Sequence, residues 1–322
     1  MNLRISTAPH VRSHDTTSRL MLDVVIALIP TALAGVYLFG MYAALILAIS
    51  MASAVLAEYL FQKITKRPVR VNDLSALVTG LILGLNLPPT APWWMAMIGS
   101  ALAIVLVKQL FGGIGDNFMN PALAARGILL ASWPVRMTNY IVPNYFQAPS
   151  FSLVDAVTSA TPLSGGYQAS TMDLFLGNIP GTIGEVCKAA ILLGFAYLLI
   201  RKTISWRIPV IMLASTALFS LFFGADPLAA VLSGGVLFGA VFMATDYTTS
   251  PMTALGQMIY AAGCGLIVAI IRAFGAYPEG VTYAILLMNI VTPLIDKYVR
   301  PKVYGYVKPE KAKKTQEVKA DA

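Results

Sequence analysis

Residues 21–40, MLDVVIALIPTALAGVYLFG, run directly into residues 41–62, MYAALILAISMASAVLAEYLFQ, and across both the only charged side chains are Asp23 and Glu58. A helix needs about 20 largely apolar residues to cross a hydrocarbon core roughly 30 Å thick. The pair therefore reads as two consecutive membrane-spanning helices. Composition extends that reading to the whole chain: 322 residues are 57% hydrophobic and only 12% charged, with mean hydropathy +0.72. Soluble domains carry about 25% charged residues, so this is an integral membrane protein. The first apolar run follows a polar segment and is long enough to span, so no cleavable signal peptide is expected.

Further clear spans are expected at 93–111, 182–200, 207–223, 253–274 and 280–296. Three weaker segments, 73–88, 120–133 and 227–245, are short or interrupted by Gly, Asn and Pro. Counting them gives about ten transmembrane helices in an all-α fold. Helices broken at membrane depth are tolerated where they line a cavity or are buried in protein, so the weak segments are where function is expected.

Basic residues orient the chain. Arg4, Arg12 and Arg19 precede the first helix; Lys63, Lys66, Arg67 and Arg70 follow the second; Arg201, Lys202 and Arg207 separate the sixth and seventh; Lys297, Arg300 and Lys302 follow the tenth. With ten spans these groups share one side, which makes both termini cytoplasmic in a multi-pass protein of the prokaryotic inner membrane. The long stretch 134–181, with Arg136 as its only basic residue, then lies outside. The net charge of +8 follows from this topology and from anionic lipid. A nucleic-acid partner would need that charge on a folded soluble face, and none is expected.

The two halves echo each other. Ala76-Leu77-Val78-Thr79-Gly80 with Leu83-Gly84 resembles Ala230-Val231-Leu232-Ser233-Gly234 with Phe238-Gly239; Lys108 with Phe111-Gly112 resembles Arg272 with Phe274-Gly275. Five helices per half is an odd number, so the second copy is inverted. The expected organisation is a cytoplasmic segment (1–20), a first five-helix repeat (21–133), an extracytoplasmic loop (134–181), a second five-helix repeat (182–300) and a basic cytoplasmic tail (301–322), with a broken third helix in each repeat.

Ionisable groups inside spans are costly and tend to be paired or functional. The candidates are Asp23, Glu58, Arg126, Glu185, Lys188 and Asp246, with Asp246 and Arg126 as a candidate pair. Glu185 and Lys188, three apart, would neutralise each other on one helix face. Gly112-Gly113-Ile114-Gly115-Asp116-Asn117-Phe118-Met119-Asn120-Pro121-Ala122 leads into a short helix bearing Arg126. Asn120 before Pro121 reads as an N-cap followed by proline at the first helical position. A helix start of this kind suits a phosphate or a ring carbonyl. Cys187 and Cys264 lie in apolar runs without metal or cluster spacing and read as packing residues. His10 and His14 read as solvated. No catalytic residue and no metal-ligand set is evident.

One polar island remains. Asp155-Ala156-Val157-Thr158-Ser159-Ala160-Thr161 matches the signal by which a flavin transferase esterifies the phosphate of FMN to a hydroxyl: Asp, two free positions, Ser or Thr, a small residue, Ala, then the acceptor. Thr161 is the candidate acceptor, with Asp155, Thr158, Ser159 and Ala160 completing the signal.

On the attachment signal, the Gly-Gly-x-Gly-x-Asn-x-x-Asn-Pro-Ala stretch at 112–122, and Thr245-Asp246 with Ser250-Pro251, the chain resembles the RnfD family of the Rnf electron-transport complexes. It is also similar to the NqrB family of the sodium-pumping NADH:quinone oxidoreductases. The resemblance covers nearly the whole chain, and the short N-terminus favours the Rnf branch. It implies a subunit, not catalytic alone, of a translocase that passes electrons between ferredoxin and NAD and couples them to Na⁺ or H⁺ movement. It implies covalent FMN on Thr161 at the outer face, and a non-covalent riboflavin near the cytoplasmic polar stretches, where Asn117, Asn120, Arg126 and Asp246 are candidate ligands. Implied partners are the other Rnf subunits (RnfA, RnfB, RnfC, RnfE and RnfG), a flavin transferase and membrane lipid. A small-solute channel with the same inverted repeats is the alternative, and a purely structural membrane component is a third reading; an outer flavin signal distinguishes the first from both.

Overall fold

The structure is a computed structural model that describes residues 16–143, 145, 158–159, 170–275 and 280–299. Asp155, Ala160 and Thr161, together with His10, His14, Arg4, Arg12, Arg300 and Lys302, lie outside the described residues.

Helix α1 (Thr17–Phe39) starts where the Thr16 hydroxyl accepts from Arg19 N, and ends at Gly40. Gly40 has φ 83°, a left-handed conformation in which a side chain would be strained. The same residue begins α2 (Met41–Ile64), so two long helices fold back on each other through one glycine. A 3₁₀ turn (Val71–Asp73) leads into α3 (Ser75–Leu85). Helix α4 (Trp93–Leu102) continues as a π-helix over Ala103–Gln109, and α5 spans Pro121–Ser132. Two short helices follow, α6 (Pro134–Met137) and α7 (Thr171–Leu176). The second half comprises α8 (Lys188–Ile200), α9 (Arg207–Phe222), α10 (Pro227–Leu232), α11 (Val236–Phe238) with a π-helical extension Gly239–Met243, α12 (Ala254–Phe274) and α13 (Val281–Tyr298).

Helices α1, α2 and α12 are each long and apolar enough to cross a membrane, and α3, α4, α5, α8 and α9 are shorter apolar helices. Polarity is arranged accordingly. Leu33 is 64% exposed and Ile200 80%, whereas Lys108 and Lys188 are among the largest fully buried side chains. An exterior of aliphatic groups around buried charges suits lipid rather than water.

Small residues set the close helix approaches, as packing in lipid requires. The Ser50 hydroxyl donates to Gly80 O (2.6 Å) and shares a hydrogen bond with Ser100 (2.9 Å), joining α2, α3 and α4. In the second half, Gly265 of α12 rests on Met212 and Ser215 of α9.

Three sequence expectations change. The span expected over 182–200 is helical only from Lys188; residues 179–186 are buried but not helical. Pro180, Gly181 and Gly184 disfavour helix there, and the backbone finds partners elsewhere: Ile183 N donates to Leu87 O (3.1 Å) and Gly184 N to Leu85 O (2.7 Å). The fold is also not purely helical, because β1 (Tyr140–Ile141) pairs antiparallel with β2 (Thr158–Ser159), Tyr140 facing Ser159 and Ile141 facing Thr158. The break expected in 227–245 is present at Ser233–Gly235, between α10 and α11, whereas the third helix of the first half, α3, runs unbroken over Ser75–Leu85, its Gly80 packed on Ser50 of α2.

Candidate functional site

Helix α5 begins as its sequence dictates. Asn120 Oδ1 accepts from Ala122 N (3.0 Å) and Leu123 N (3.2 Å), with Pro121 at the first helical position. The Asn120 amide donates to Met243 O at the end of the π-helical turn (3.4 Å), tying the first half to the second. Asn289 of α13 fixes the same corner, accepting from Asn120 N (3.1 Å) and donating to the Tyr260 hydroxyl (2.7 Å). Upstream, the glycine-rich loop turns at Gly112, Gly113 and Gly115, whose φ values of 131°, 110° and 100° suit only glycine.

That loop and corner border a cleft of ≈ 90 Å³ between the halves. Asn117, Asn120 and Asp246 line it with Lys108, and Val78, Ile82, Leu198 and Phe242 give it apolar walls. Asn117 is 9% exposed, and its Oδ1 is buried with no hydrogen-bond partner. Asp246 is held by its own turn, accepting from Thr248 N (3.3 Å), Thr248 Oγ1 (3.2 Å) and Thr249 Oγ1 (3.4 Å).

The structure thus brings Asn117, Asn120 and Asp246 together but not Arg126. Arg126 instead donates to Asn86 Oδ1 (2.9 Å) at the end of α3, so the expected Asp246–Arg126 pair does not form. Glu185 and Lys188 also fail to pair as expected. The carboxylate accepts from Thr182 N (2.9 Å), while the Lys188 ammonium donates to the main-chain oxygens of Glu185 and Gly234. An i, i+3 pair needs both residues on a helix, and the helix begins only at Lys188 itself.

Sequence reasoning missed the partner of Glu58. Lys108, noted only as a repeat marker, donates to Glu58 Oε1 (2.9 Å) and Oε2 (3.0 Å) and to the Ser75 hydroxyl at the start of α3. Gln109 and Gln62 also donate to Glu58 Oε1, at 2.6 and 3.2 Å. In the second half, Arg272 near the end of α12 donates to Ala230 O and Ser233 O of α10 and the break that follows it. In each half a basic residue late in one helix reaches the short segment that sequence marks as third. Asp23 is held by Arg201 (3.3 Å) and by the Tyr197 hydroxyl (3.1 Å), joining α1 to α8. Cys264 is fully buried in the core and Cys187 packs against it, as expected of packing residues.

Of the attachment signal, only the backbone of Thr158 and Ser159 falls within the described residues, where it is hydrogen-bonded to the strand that follows α6.

Together these features define a helical membrane protein with buried charged side chains and an amide-lined, apolar-walled cleft between its halves. The chain belongs to the NQR2, RnfD, RnfE family, whose sequence profile matches residues 4–305. It is 49% identical to the D subunit of the Na(+)-translocating ferredoxin:NAD(+) oxidoreductase complex of Acetobacterium woodii, covering 98% of this chain and 99% of that protein. Identity is 42% with the D subunit of the proton-translocating ferredoxin:NAD(+) oxidoreductase complex of Clostridium ljungdahlii, over 94% of this chain and 96% of that one. It is 39% with the D subunit of the ion-translocating oxidoreductase complex of Halorhodospira halophila, over 92% and 94%.

Proposed function

We propose that this chain is the membrane-embedded, flavin-carrying RnfD component of an Rnf-type ferredoxin:NAD oxidoreductase complex. The observation that carries this is near-full-length similarity to proteins named as that component, joined to the attachment signal ending at Thr161. Relatives named for oxidoreductase complexes do not favour the solute-channel reading.

Thr161 supplies the hydroxyl that is esterified by FMN, and Asp155, Thr158, Ser159 and Ala160 supply the sequence a flavin transferase reads. A phosphoester at the far end of the ribityl chain tethers the cofactor and leaves its ring chemistry unaltered. The cleft bordered by Asn117, Asn120 and Asp246 suits a second, non-covalent riboflavin in its chemistry. The unpartnered amide oxygen of Asn117 matches a ring N–H, and the apolar walls match the fused rings. At ≈ 90 Å³ the cleft is smaller than typical ligand pockets of roughly 300–1,000 Å³, so a flavin enters only as the glycine-rich loop moves. Flavins supply one-electron transfer in both places; the protein's part is to hold them at fixed separation. Arg126 supports the α5–α3 contact behind the cleft rather than the ligand itself.

The architecture we propose is ten spans in two inverted five-helix repeats, with both termini cytoplasmic and the flavin loop outside. What supports it is the matched reach of Lys108 and Arg272 into the third segment of their own halves, and the grouping of basic residues described above. Proposed partners are RnfA, RnfB, RnfC, RnfE and RnfG, the flavin transferase, and lipid against the apolar exterior.

The test is in-gel flavin fluorescence after SDS denaturation, in protein co-expressed with a flavin transferase active outside the cytoplasm. A fluorescent band in wild type that is lost in Thr161→Val is the expected result. A colourless wild type, with the transferase active on a control protein, would overturn the flavin reading.

A further inference from the structure

We propose that a groove along the outer face of α2 holds an acyl chain of one anionic phospholipid, whose headgroup is bound by Lys63.

The groove has a volume of ≈ 630 Å³ and is lined by Ala48, Ala52, Val55 and Tyr59 of α2, with Val71 and Leu77 from the 3₁₀ turn and α3. The four α2 residues recur at intervals of four, three and four, which places them in one stripe along the helix. Ala48 and Ala52 carry a single methyl each, and that is what hollows the stripe. The opposite face of α2 is already committed: Ser50 and Ala54 are fully buried, and both lie where a Cβ on Gly80 of α3 would fall. The groove therefore opens away from the core, with Leu56 (56% exposed) and Tyr59 on its open side.

One end of the groove is basic. Lys63 stands one turn beyond Tyr59 on the same stripe, and its ammonium lies 5.6 Å from the centre of the Tyr59 ring. Lys66 follows and is exposed. Arg67 donates to Gln109 O, and with Arg70 it lines a separate polar pocket, so Lys63 is the cation stationed at the groove itself. The acidic groups nearby are engaged: Glu58 with Lys108, and Asp73 with the amide and hydroxyl of Ser75.

The chemistry of the occupant follows from these two ends. Lipid tails are as apolar as the groove, so a tail gains no hydrophobic free energy by entering it. Selectivity must come from the headgroup, and a lysine beside an apolar slot selects an anionic one. A partner helix fits less well. From Ala48 to Tyr59 the stripe runs about 16 Å, and a helix segment of that length, about 10 Å across, occupies roughly 1,300 Å³, twice the groove. It would also set Lys63 against protein, where a single extended chain leaves the ammonium free for a phosphate. The grouping of basic residues at one end of α2 accounts for its charge but not for the hollow that leads to it. The site is independent of the flavin reading.

The experiment is photo-crosslinking on the whole complex in phosphatidylcholine vesicles that carry a trace of phosphatidylglycerol with a diazirine in its acyl chain. Labelled peptides are then mapped. We expect label within residues 48–59, displaced by unlabelled phosphatidylglycerol and not by added phosphatidylcholine. Ala52→Phe, which fills the groove from an exposed position, should abolish that label. Lys63→Gln should weaken displacement by phosphatidylglycerol about fivefold. Leu193→Phe, on the exposed face of α8, should change nothing. Should Ala52→Phe fail to assemble, as judged by size-exclusion chromatography, the exposed Lys63→Gln carries the test. Equal displacement by the two lipids, or label unchanged in an assembled Ala52→Phe complex, overturns the proposal, since the groove would then hold ordinary boundary lipid. Absence of label from residues 48–59 also overturns it, since a protein partner would then cover the groove.

Discussion

The Lys108 ammonium lies 2.9 and 3.0 Å from the two carboxylate oxygens of Glu58, and both side chains are only 2% exposed. The pair clamps the π-helical end of α4 to α2, and through Ser75 to the start of α3. Removing one partner of such a pair is more damaging than its net contribution suggests, because the survivor stays buried and uncompensated. Lys108→Met is expected to cost about 3–5 kcal/mol of stability, read as a lower thermal midpoint in detergent. Glu58→Gln combined with Lys108→Met should cost less than Lys108→Met alone, which a double-mutant cycle measures.

Gly80 and Gly127 make a matched pair of tests. A Cβ at Gly80 would fall 2.6 Å from Ser50 O and 2.8 Å from Ala54 Cβ, and the first of these is backbone that cannot swing away. Gly80→Ala should therefore destabilise by roughly 1–3 kcal/mol through overpacking. At Gly127 the nearest atom would be Leu286 Cδ1 at 3.5 Å. Gly127→Ala should be neutral or stabilising by up to about 1 kcal/mol, the helix-propensity gain.

Loss of the α5 cap is expected to be smaller and local. Asn120→Ala removes the acceptor for Ala122 N and Leu123 N and should cost about 1 kcal/mol. Asn120→Asp keeps that acceptor but loses the donor to Met243 O and sets a buried carboxylate oxygen against that carbonyl, so it should not restore stability. Hydrogen exchange at the first turn of α5 is the direct readout.

Asn117→Leu separates the two proposed flavins. It fills the cleft and removes the unpartnered amide oxygen, so non-covalent flavin released by denaturation should fall to background. The covalent band in the gel should persist at wild-type intensity. Loss of both signals together would instead indicate a general assembly defect.

What sequence can reveal is tied to local chemistry. The interruption between α10 and α11 follows from Ser233-Gly234-Gly235, and the start of α5 from Asn120-Pro121, because each signal lies within a few residues of its effect. The Glu58–Lys108 pair is illegible in sequence, its members standing 50 positions apart, with nothing local to join them. The run 182–187 reads as helix because it is largely apolar; its backbone is satisfied by α3, a partner that hydropathy cannot reveal. For the same reason Glu185 and Lys188 look like a helical ion pair and are not. Charge alone links Asp246 to Arg126, whereas Thr248, Thr249 and Asn86 supply nearer partners.

The single glycine between α1 and α2 bears on biogenesis. The helices have 23 and 24 residues, each about 35 Å long at 1.5 Å per residue, enough to cross the bilayer. One residue between them leaves no tether by which the first could settle in lipid while the second is still being made at a distance. The pair is expected to leave the insertion machinery together, as a helical hairpin with its tip at Gly40. Lengthening that tip with a flexible insert would uncouple the two insertions, making the earliest step in the assembly of this protein a property of one residue.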